Sequence, residues 1–354
     1  MGAKNQRPEI FLPDVMTRAE HVFAAFDDLR PLGRTLNEAD AMTLFTHLRD
    51  EMYFLPAFLD HYRRLGIERF VLVDDRSEDG GCEYLLDQPD VMVLGTDWRF
   101  GETAPIAPGH LKVKSERAIT GWLNILPARY ALGRWAVRAD LDEFIALPSG
   151  TTFADVAALA ETAGGNVVYG PMLDLYPSKL GDAIPGDRFD PETNWFFDAL
   201  PHLRPSGARQ PKQIYHGARA RLLFANDIWP HPAVRVLLNL ARISRPPFFN
   251  DLRKPVLFRW QSKTLQASSH EIDLVAVPGF LLPVPHYKFA EDLRRRVCRA
   301  VSERQYFSAS FEYTMLERLL DELEKAEASL TFKHSRPVRG FDGFAASGNG
   351  FLPL

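Results

Sequence analysis

Glu68-Arg69-Phe70-Val71-Leu72-Val73-Asp74 is a strand-length stretch whose interior is continuously apolar and whose last residue is an aspartate. An unbroken apolar run is expected of a strand covered on both faces, as in a parallel sheet wrapped by helices. Working outward, Thr43 to Leu48 has strand character. Met52 to Leu65 then places apolar residues at 52, 55, 58, 59, 62 and 65, close to a helical period, and Gly66 supplies a stop. On the other side, Asp74 to Gly81 is a polar loop, a helix is predicted from about Gly81, and Val91 to Leu94 reads as the next strand. Strand, helix, strand, helix, strand at this spacing predicts an α/β fold with a doubly wound, mostly parallel sheet. Ligands of such sheets bind at the carboxyl ends of the strands.

A second stretch, Trp135-Ala136-Val137-Arg138-Ala139-Asp140-Leu141-Asp142-Glu143-Phe144-Ile145, delivers three carboxylates within four residues at the end of another short strand. Like charges packed so closely repel, and a divalent cation with its preference for oxygen ligands would offset that repulsion. In extended chain Asp140 and Asp142 would share a face, with Leu141 turned to the core. Three polar loops are thus expected at one sheet edge: Arg49-Asp50-Glu51, Asp74-Asp75-Arg76-Ser77 and Asp140-Leu141-Asp142.

The 354 residues suffice for one large domain with a substantial core. A net charge of −4 gives no basic field for nucleic acid, and Arg63-Arg64 and Arg294-Arg295-Arg296 are read as solvated helix faces. Cys82 and Cys298 form no motif and fit a reducing compartment. With no signal-like N-terminus and no run of about 18 apolar residues, the expectation is a soluble, cytoplasmic protein.

Elsewhere, residues 1–40 are read as an N-terminal extension with a helix near Ala19 to Leu29. Leu111 to Tyr130 is predicted helical, Thr152 to Thr162 a helix capped by Thr151 or Thr152, and Asn166 to Tyr169 a strand. Residues 171–232 read as long functional loops, within which Ala218 to Phe224 alternates like a strand. Val256 to Trp260 and Phe280 to Val284 are further strands, Ala290 to Ala328 two helices broken around Ser308, and the tail from Ser335 irregular. The division expected is 1–40 extension, 41–290 catalytic domain and 291–354 C-terminal helical region and tail.

The ordered set Arg49-Asp50-Glu51, Phe54-Leu55-Pro56-Ala57-Phe58-Leu59, Asp74-Asp75-Arg76-Ser77 and Asp140-Leu141-Asp142-Glu143-Phe144 resembles the nucleotide-sugar-dependent glycosyltransferases of the family 2 type, over about residues 40 to 150. The resemblance continues loosely through Arg219 to Phe224, His270 and His286 to Phe289. It implies a GT-A type, Rossmann-like sheet flanked by helices, and a nucleotide-sugar donor such as a UDP-sugar. It further implies a glycan or other hydroxyl acceptor, inverting transfer, and Mn²⁺ or Mg²⁺ at the Asp-x-Asp. Peripheral contact with a membrane is compatible with it.

On that basis Asp140, Asp142 and His286 are the expected metal ligands. Arg49, Glu51, Asp74, Asp75, Ser77, Lys114, Asp140, Arg219, Arg221 and Lys288 are the expected donor-binding residues. Asp75 or Asp74 would accept from the base or ribose, since an ionised carboxylate accepts only, and Lys288 would approach a phosphate. An inverting transfer needs a general base, for which Asp174, His270 and Glu271 are the candidates, Asp174 the favoured one. Two rival classes share the motif. An Asp-x-Asp phosphatase-like hydrolase needs the motif after the first strand, whereas here it follows the third or fourth. A non-catalytic nucleotide-sugar-binding module is disfavoured by the intact acidic triplet.

Overall fold

The computed structural model describes residues 18–36, 40–105, 115–182, 188–191, 194–229, 250–290 and 292–353. Among these residues nine strands form the central sheet: β1 (Arg30–Pro31), β2 (Thr43–Leu48), β3 (Arg69–Asp74), β4 (Val91–Gly95), β5 (Trp135–Arg138), β6 (Val167–Asp174), β7 (Arg253–Arg259), β8 (Ala276–Leu281) and β9 (Val284–His286). Their spatial order is β1-β4-β3-β2-β5-β7-β6-β8, with β9 pairing farther along β6. Strands β2 to β5 are mutually parallel, and β8 and β9 run parallel to β6. Strand β7 is antiparallel to both β5 and β6, so β6 points with the first group, and β1 is antiparallel to β4. The sheet is therefore mostly parallel, with the acidic stretches at one edge.

Helices cover both faces. Helices α2 (Leu55–Arg64), α3 (Gly81–Leu86) and α5 (Phe153–Thr162) pack on one side, and α1 (Arg18–Phe26) and α4 (Ala118–Tyr130) on the other. Strand alternation decides which residue meets which layer: Phe70 and Leu72 join the first cluster, Val71 and Val73 the second. Helix α5 begins with the expected Thr152 cap, whose side chain and Asp155 form a reciprocal capping box. A third apolar cluster is built by α6 (Gly217–Ala225), α7 (Leu293–Glu303) and α8 (Phe307–Ala326). Non-helical backbone at Ser308 to Ser310 separates α7 and the body of α8, where the break was expected.

Several local expectations are corrected. The helix expected from Leu111 starts at Ala118, because Ser115–Arg117 pairs instead with Thr103–Pro105 as a small ribbon. Residues 218–224 form a helix, not a strand. Their alternation of Ala and Arg is compatible with both, but Ala, Leu and Arg favour helix, and Ala218 and Leu222, four apart, join one core. The tail contains a short strand, Ser335–Pro337, paired with Phe196–Asp198, and α9 (Gly340–Ala346), which buries Phe344. The strand expected at 280–284 is two strands interrupted at Leu282-Pro283. Among the described residues no helix is long and apolar enough to cross a membrane.

Candidate active site

The acidic stretch after β5 is not extended. Glu143 N–H donates to the Asp140 carbonyl at 2.9 Å, closing a turn, so period-two alternation no longer applies and the two aspartates diverge. Leu141 is buried as expected. Helix α2 holds the turn from one side. Tyr62 donates to the Glu143 carbonyl (2.9 Å) and accepts from Ile145 N–H (3.1 Å), while His61 Nε2 meets the Ile145 carbonyl at 2.9 Å. The other side is laced to β9: Phe144 N–H donates to Pro285 O, Ala146 N–H to Pro283 O, and Tyr287 N–H to Asp142 O, at 2.8 to 2.9 Å. That lacing carries His286 to Asp142.

Asp142 Oδ2 lies 3.2 Å from His286 Nε2 and accepts from Arg296 Nη1 of α7 at 2.8 Å. His286 Nδ1 lies 2.6 Å from Asp174 Oδ1 at the end of β6, and Asp174 Oδ2 accepts from Arg219 Nε of α6 at 2.8 Å. Arg219 also pairs with Glu312 of α8. Burial opposes ionisation of both aspartates, yet His286 and Arg296 hold Asp142 well below the usual carboxylate range, and Arg219 and His286 do the same to Asp174. With both carboxylates ionised, His286 Nδ1 must be the donor toward Asp174. Burial alone would depress the His286 pKa; its two aspartates reverse that and raise it.

Asp140 has a different environment. Its oxygens accept from Arg138 Nη2 (2.9 Å) and Lys254 Nζ (2.8 Å), and Lys254 also lies 2.6 Å from Glu143. Lys254 is the second residue of β7, and its ammonium is buried between the two carboxylates. Burial would raise the Asp140 pKa, but Lys254 and Arg138 take it well below normal.

Among the described residues no group of three or more His, Cys, Asp or Glu side chains converges as a metal cage. The expected trio of Asp140, Asp142 and His286 does not converge: Asp140 meets Arg138 and Lys254, while Asp142 and His286 meet each other. Asp142 and His286 do form a pair of donors, the histidine oriented by a carboxylate on its other nitrogen, which is the support metal-bound imidazoles require. A metal held by such a pair would need its remaining positions filled by water and substrate phosphate oxygens.

The remaining expected residues are distributed as follows. Lys288 is buried, donates to Tyr313 OH at 3.0 Å and stacks over that ring at 4.5 Å, with burial lowering its pKa. Glu51 accepts weakly from Arg299 of α7 (3.4 Å), its other oxygen is buried without a hydrogen bond, and burial, partly offset by Arg296, pushes its pKa up to about 8. Asp74 accepts from Ser77 N–H (3.1 Å) and so closes its own loop, while Ser77 Oγ accepts from Asp50 N–H (3.1 Å) and ties that loop to the one after β2. Asp75 is fully buried, accepts from Phe100 N–H (3.1 Å) and faces Arg99 at 3.0 Å; burial raises its pKa to about 6.

Arg49 donates to the Asp75 and Arg76 carbonyls. Arg221 is turned away from the cluster and grips the buried Asp198 through two hydrogen bonds of 3.0 and 2.9 Å, alongside Tyr176 and Tyr215. His270 hydrogen-bonds the Arg253 carbonyl at 2.9 Å, and burial takes its pKa down to about 4. Lys114 lies outside the described residues.

Two residues were missed that a closer reading offered. Lys254 stands just ahead of the apolar run Val256 to Phe258, and a buried lysine needs a partner. Arg296, read as solvated, falls on the buried stripe of α7 with Leu293, Val297 and Ala300, while Arg295 faces out.

No family model matches the chain. A glycosyltransferase family 92 protein of Ricinus communis is 28% identical over 126 residues, 36% of this chain and 21% of that protein. The match thus spans about a fifth of that relative's length. Among solved structures, a 4-diphosphocytidyl-2C-methyl-D-erythritol synthase overlays 44% of this chain and 70% of its own at 16% identity and a TM-score of 0.23. The UTP-bound UGPase from Acinetobacter baumannii overlays 87% of this chain and 92% of its own at 8% identity and a TM-score of 0.27. Overlays this loose carry no argument about this chain. The sequence similarity is to a glycosyltransferase, and it is distant and partial.

Proposed function

We propose that the chain is a glycosyltransferase that moves a sugar from a nucleotide-sugar donor, a UDP-sugar by the resemblance, to a hydroxyl acceptor. The observation that carries this reading is the Asp142–His286–Asp174 arrangement at the carboxyl edge of a mostly parallel sheet, ringed by the buried cations Arg296, Arg219 and Lys288. Departure of a nucleoside diphosphate needs positive charge around the leaving phosphates, and cations preorganised in a buried site stabilise such charge far better than water does. The distant similarity to a family 92 glycosyltransferase supports the same class.

Mn²⁺ or Mg²⁺ would be held by Asp142 Oδ2 and His286 Nε2, and when bound it would act as a Lewis acid toward the diphosphate. Asp174 keeps the imidazole oriented by accepting from Nδ1. With both oxygens engaged and its pKa far below normal, it is a positioning residue and a poor proton acceptor. His270 is likewise committed to a backbone carbonyl. Arg296 neutralises Asp142 until a ligand competes for it, and Lys288, held against Tyr313, supplies a point charge for a phosphate oxygen.

The test is a thermal-shift screen over nucleotide sugars with Mn²⁺ and Mg²⁺. A ligand that binds only the folded state raises the melting temperature by mass action. The reading expects a metal-dependent shift with one nucleotide series, lost in Asp142→Ala. A folded protein with no shift for any nucleotide sugar defeats it.

A further inference from the structure

At the outer end of the carboxyl edge, guanidinium groups from two neighbouring loops close on one carboxylate. Glu303, the last residue of α7, places Oε1 3.3 Å from Arg49 Nη2 and Oε2 3.1 Å from Arg99 Nη2. Arg49 follows β2 and Arg99 follows β4, so the two flank the end of β3 where Asp75 lies. Arg99 Nε is 3.0 Å from Asp75 Oδ1. The chain just beyond Glu303 is seated on the same loops: Arg117 donates to the Gln305 carbonyl at 2.5 Å, and Tyr306 packs edge-on against Phe100 with centroids 4.8 Å apart.

Glu303 accepts one hydrogen bond, from Arg49 Nη2 at 3.3 Å, while its contact with Arg99 is held by charge. Arg49 Nε, Arg99 Nε, Arg99 Nη2 and Asp75 Oδ1 are all buried and lack a hydrogen bond of acceptable geometry. Of these, Arg99 Nε and Asp75 Oδ1 face each other at 3.0 Å, Arg49 Nε faces Asp50 at 3.4 Å, and Arg99 Nη2 alone faces Glu303; buried polar atoms are almost always satisfied, so the carboxylate leaves one fork of its site badly met. Guanidinium groups present a rigid planar fork suited to carboxylate or phosphate. The surrounding charged groups are Arg49, Arg99 and Arg299 against Asp50, Glu51, Asp75 and Glu303. Withdrawal of Glu303 would leave Arg49 Nη2 and Arg99 Nη2 without their acceptor. Its neighbour Arg304 sits at φ 54°, a left-handed conformation that costs a non-glycine residue, so the closed turn carries a backbone penalty.

We infer that Arg49 and Arg99 form an anion subsite for a phosphate group of the nucleotide, and that the Glu303 carboxylate occupies it until that ligand displaces the end of α7. The inference rests on the nucleotide-sugar reading and adds to it a recognition residue, Arg99, and a competing internal ligand. An internal competitor lowers apparent affinity by the fraction of molecules in which it is bound.

Calorimetric titration of the full chain with UDP, inorganic pyrophosphate and uridine tests this directly. Glu303→Gln should bind UDP and pyrophosphate more tightly, on the order of tenfold if the carboxylate occupies the site in about nine molecules of ten. Uridine, lacking phosphate, should be unaffected. Adding Arg99→Met to Glu303→Gln should abolish the gain. Wild-type protein that binds UDP, with unchanged affinity in a folded Glu303→Gln variant, overturns the inference and leaves the nucleotide-sugar reading intact. A gain that extends to uridine also overturns it, since that reports a loosened cleft and no anion site. Tighter pyrophosphate binding with no preference for UDP supports the subsite and defeats the nucleotide reading.

Discussion

Replacing Lys254 by methionine removes the only cation that contacts Glu143 among the described contacts, while leaving Asp140 its bond to Arg138. The Lys254 and Glu143 side chains are 5% and 3% exposed, whereas that of Asp140 is 29% exposed. At 2.6 to 2.8 Å each ion pair has a gross attraction of roughly 6 kcal/mol at an effective dielectric of about 20. Most of that is offset by desolvation, but breaking a buried pair from one side leaves the other charge stranded, at about 3–5 kcal/mol. For a chain of this length about 2 °C is lost per kcal/mol, so the melting temperature should fall by about 6–10 °C.

The deficit should also depend on pH. Burial already raises the Glu143 pKa, and Lys254 is the first group offsetting it. Without that lysine the folded protein prefers the protonated acid. Stability is then retained near the ordinary glutamate pKa and lost as pH rises above it. Calorimetric scans of Lys254→Met from pH 5 to 8.5 should show a widening gap from wild type. Lys254→Met combined with Glu143→Gln should recover more than half of it, because the neutral amide needs no counterion. A single variant within about 1 kcal/mol of wild type at pH 8, or a double variant no better than the single one, would refute the reasoning.

Glu51→Gln addresses a second raised carboxyl. A folded pKa of about 8 means that wild-type stability declines as pH rises from about 4.5 toward 8. The amide variant should flatten that decline, and an unchanged pH–stability profile would contradict the burial argument. Asp174→Asn should weaken Mn²⁺ binding by about 10–100-fold through loss of imidazole orientation; unaltered Mn²⁺ affinity in a titration would remove Asp174 from its positioning role. Arg221→Met should lower stability by about 3–5 kcal/mol, since it strands the buried Asp198, while UDP affinity stays within about twofold. Lost UDP binding in a stable Arg221→Met protein would return Arg221 to the donor site.

Much of the framework was legible because it depends on local patterns. The apolar interior of residues 68–74 and the helical spacing of residues 52–65 each have one dominant physical reading, and the cap expected at Thr151 or Thr152 falls on Thr152. The acidic edge was legible for the same reason, since carboxylates at strand ends mark where parallel sheets place ligands. What the pattern could not give was partnership. Period-two reasoning put Asp140 and Asp142 on one face, but the chain turns at Asp140, and only the lacing of residues 142–146 to 283–287 decides that Asp142 meets His286. Asp174 was legible as a carboxylate at a strand end, but its pairing with both His286 and Arg219 depends on α6, whose short Ala-Arg-Ala-Arg segment fits strand and helix alike. Arg296 was hidden within a run of three arginines until the stripe of α7 separated its buried member from its exposed neighbours.

The central claim is that the Asp142–His286 edge performs chemistry on a nucleotide sugar. The most direct measurement is release of nucleoside diphosphate from a panel of nucleotide sugars, with and without Mn²⁺, by wild-type protein and by Asp142→Asn. The account predicts slow release of one nucleoside diphosphate by wild type, stimulated by Mn²⁺. It predicts a loss of about 100-fold or more in Asp142→Asn, of the size seen when a group that stabilises transition-state charge is removed. Equal release by the two proteins, or none from any nucleotide sugar while the folded chain still binds Mn²⁺, would contradict it.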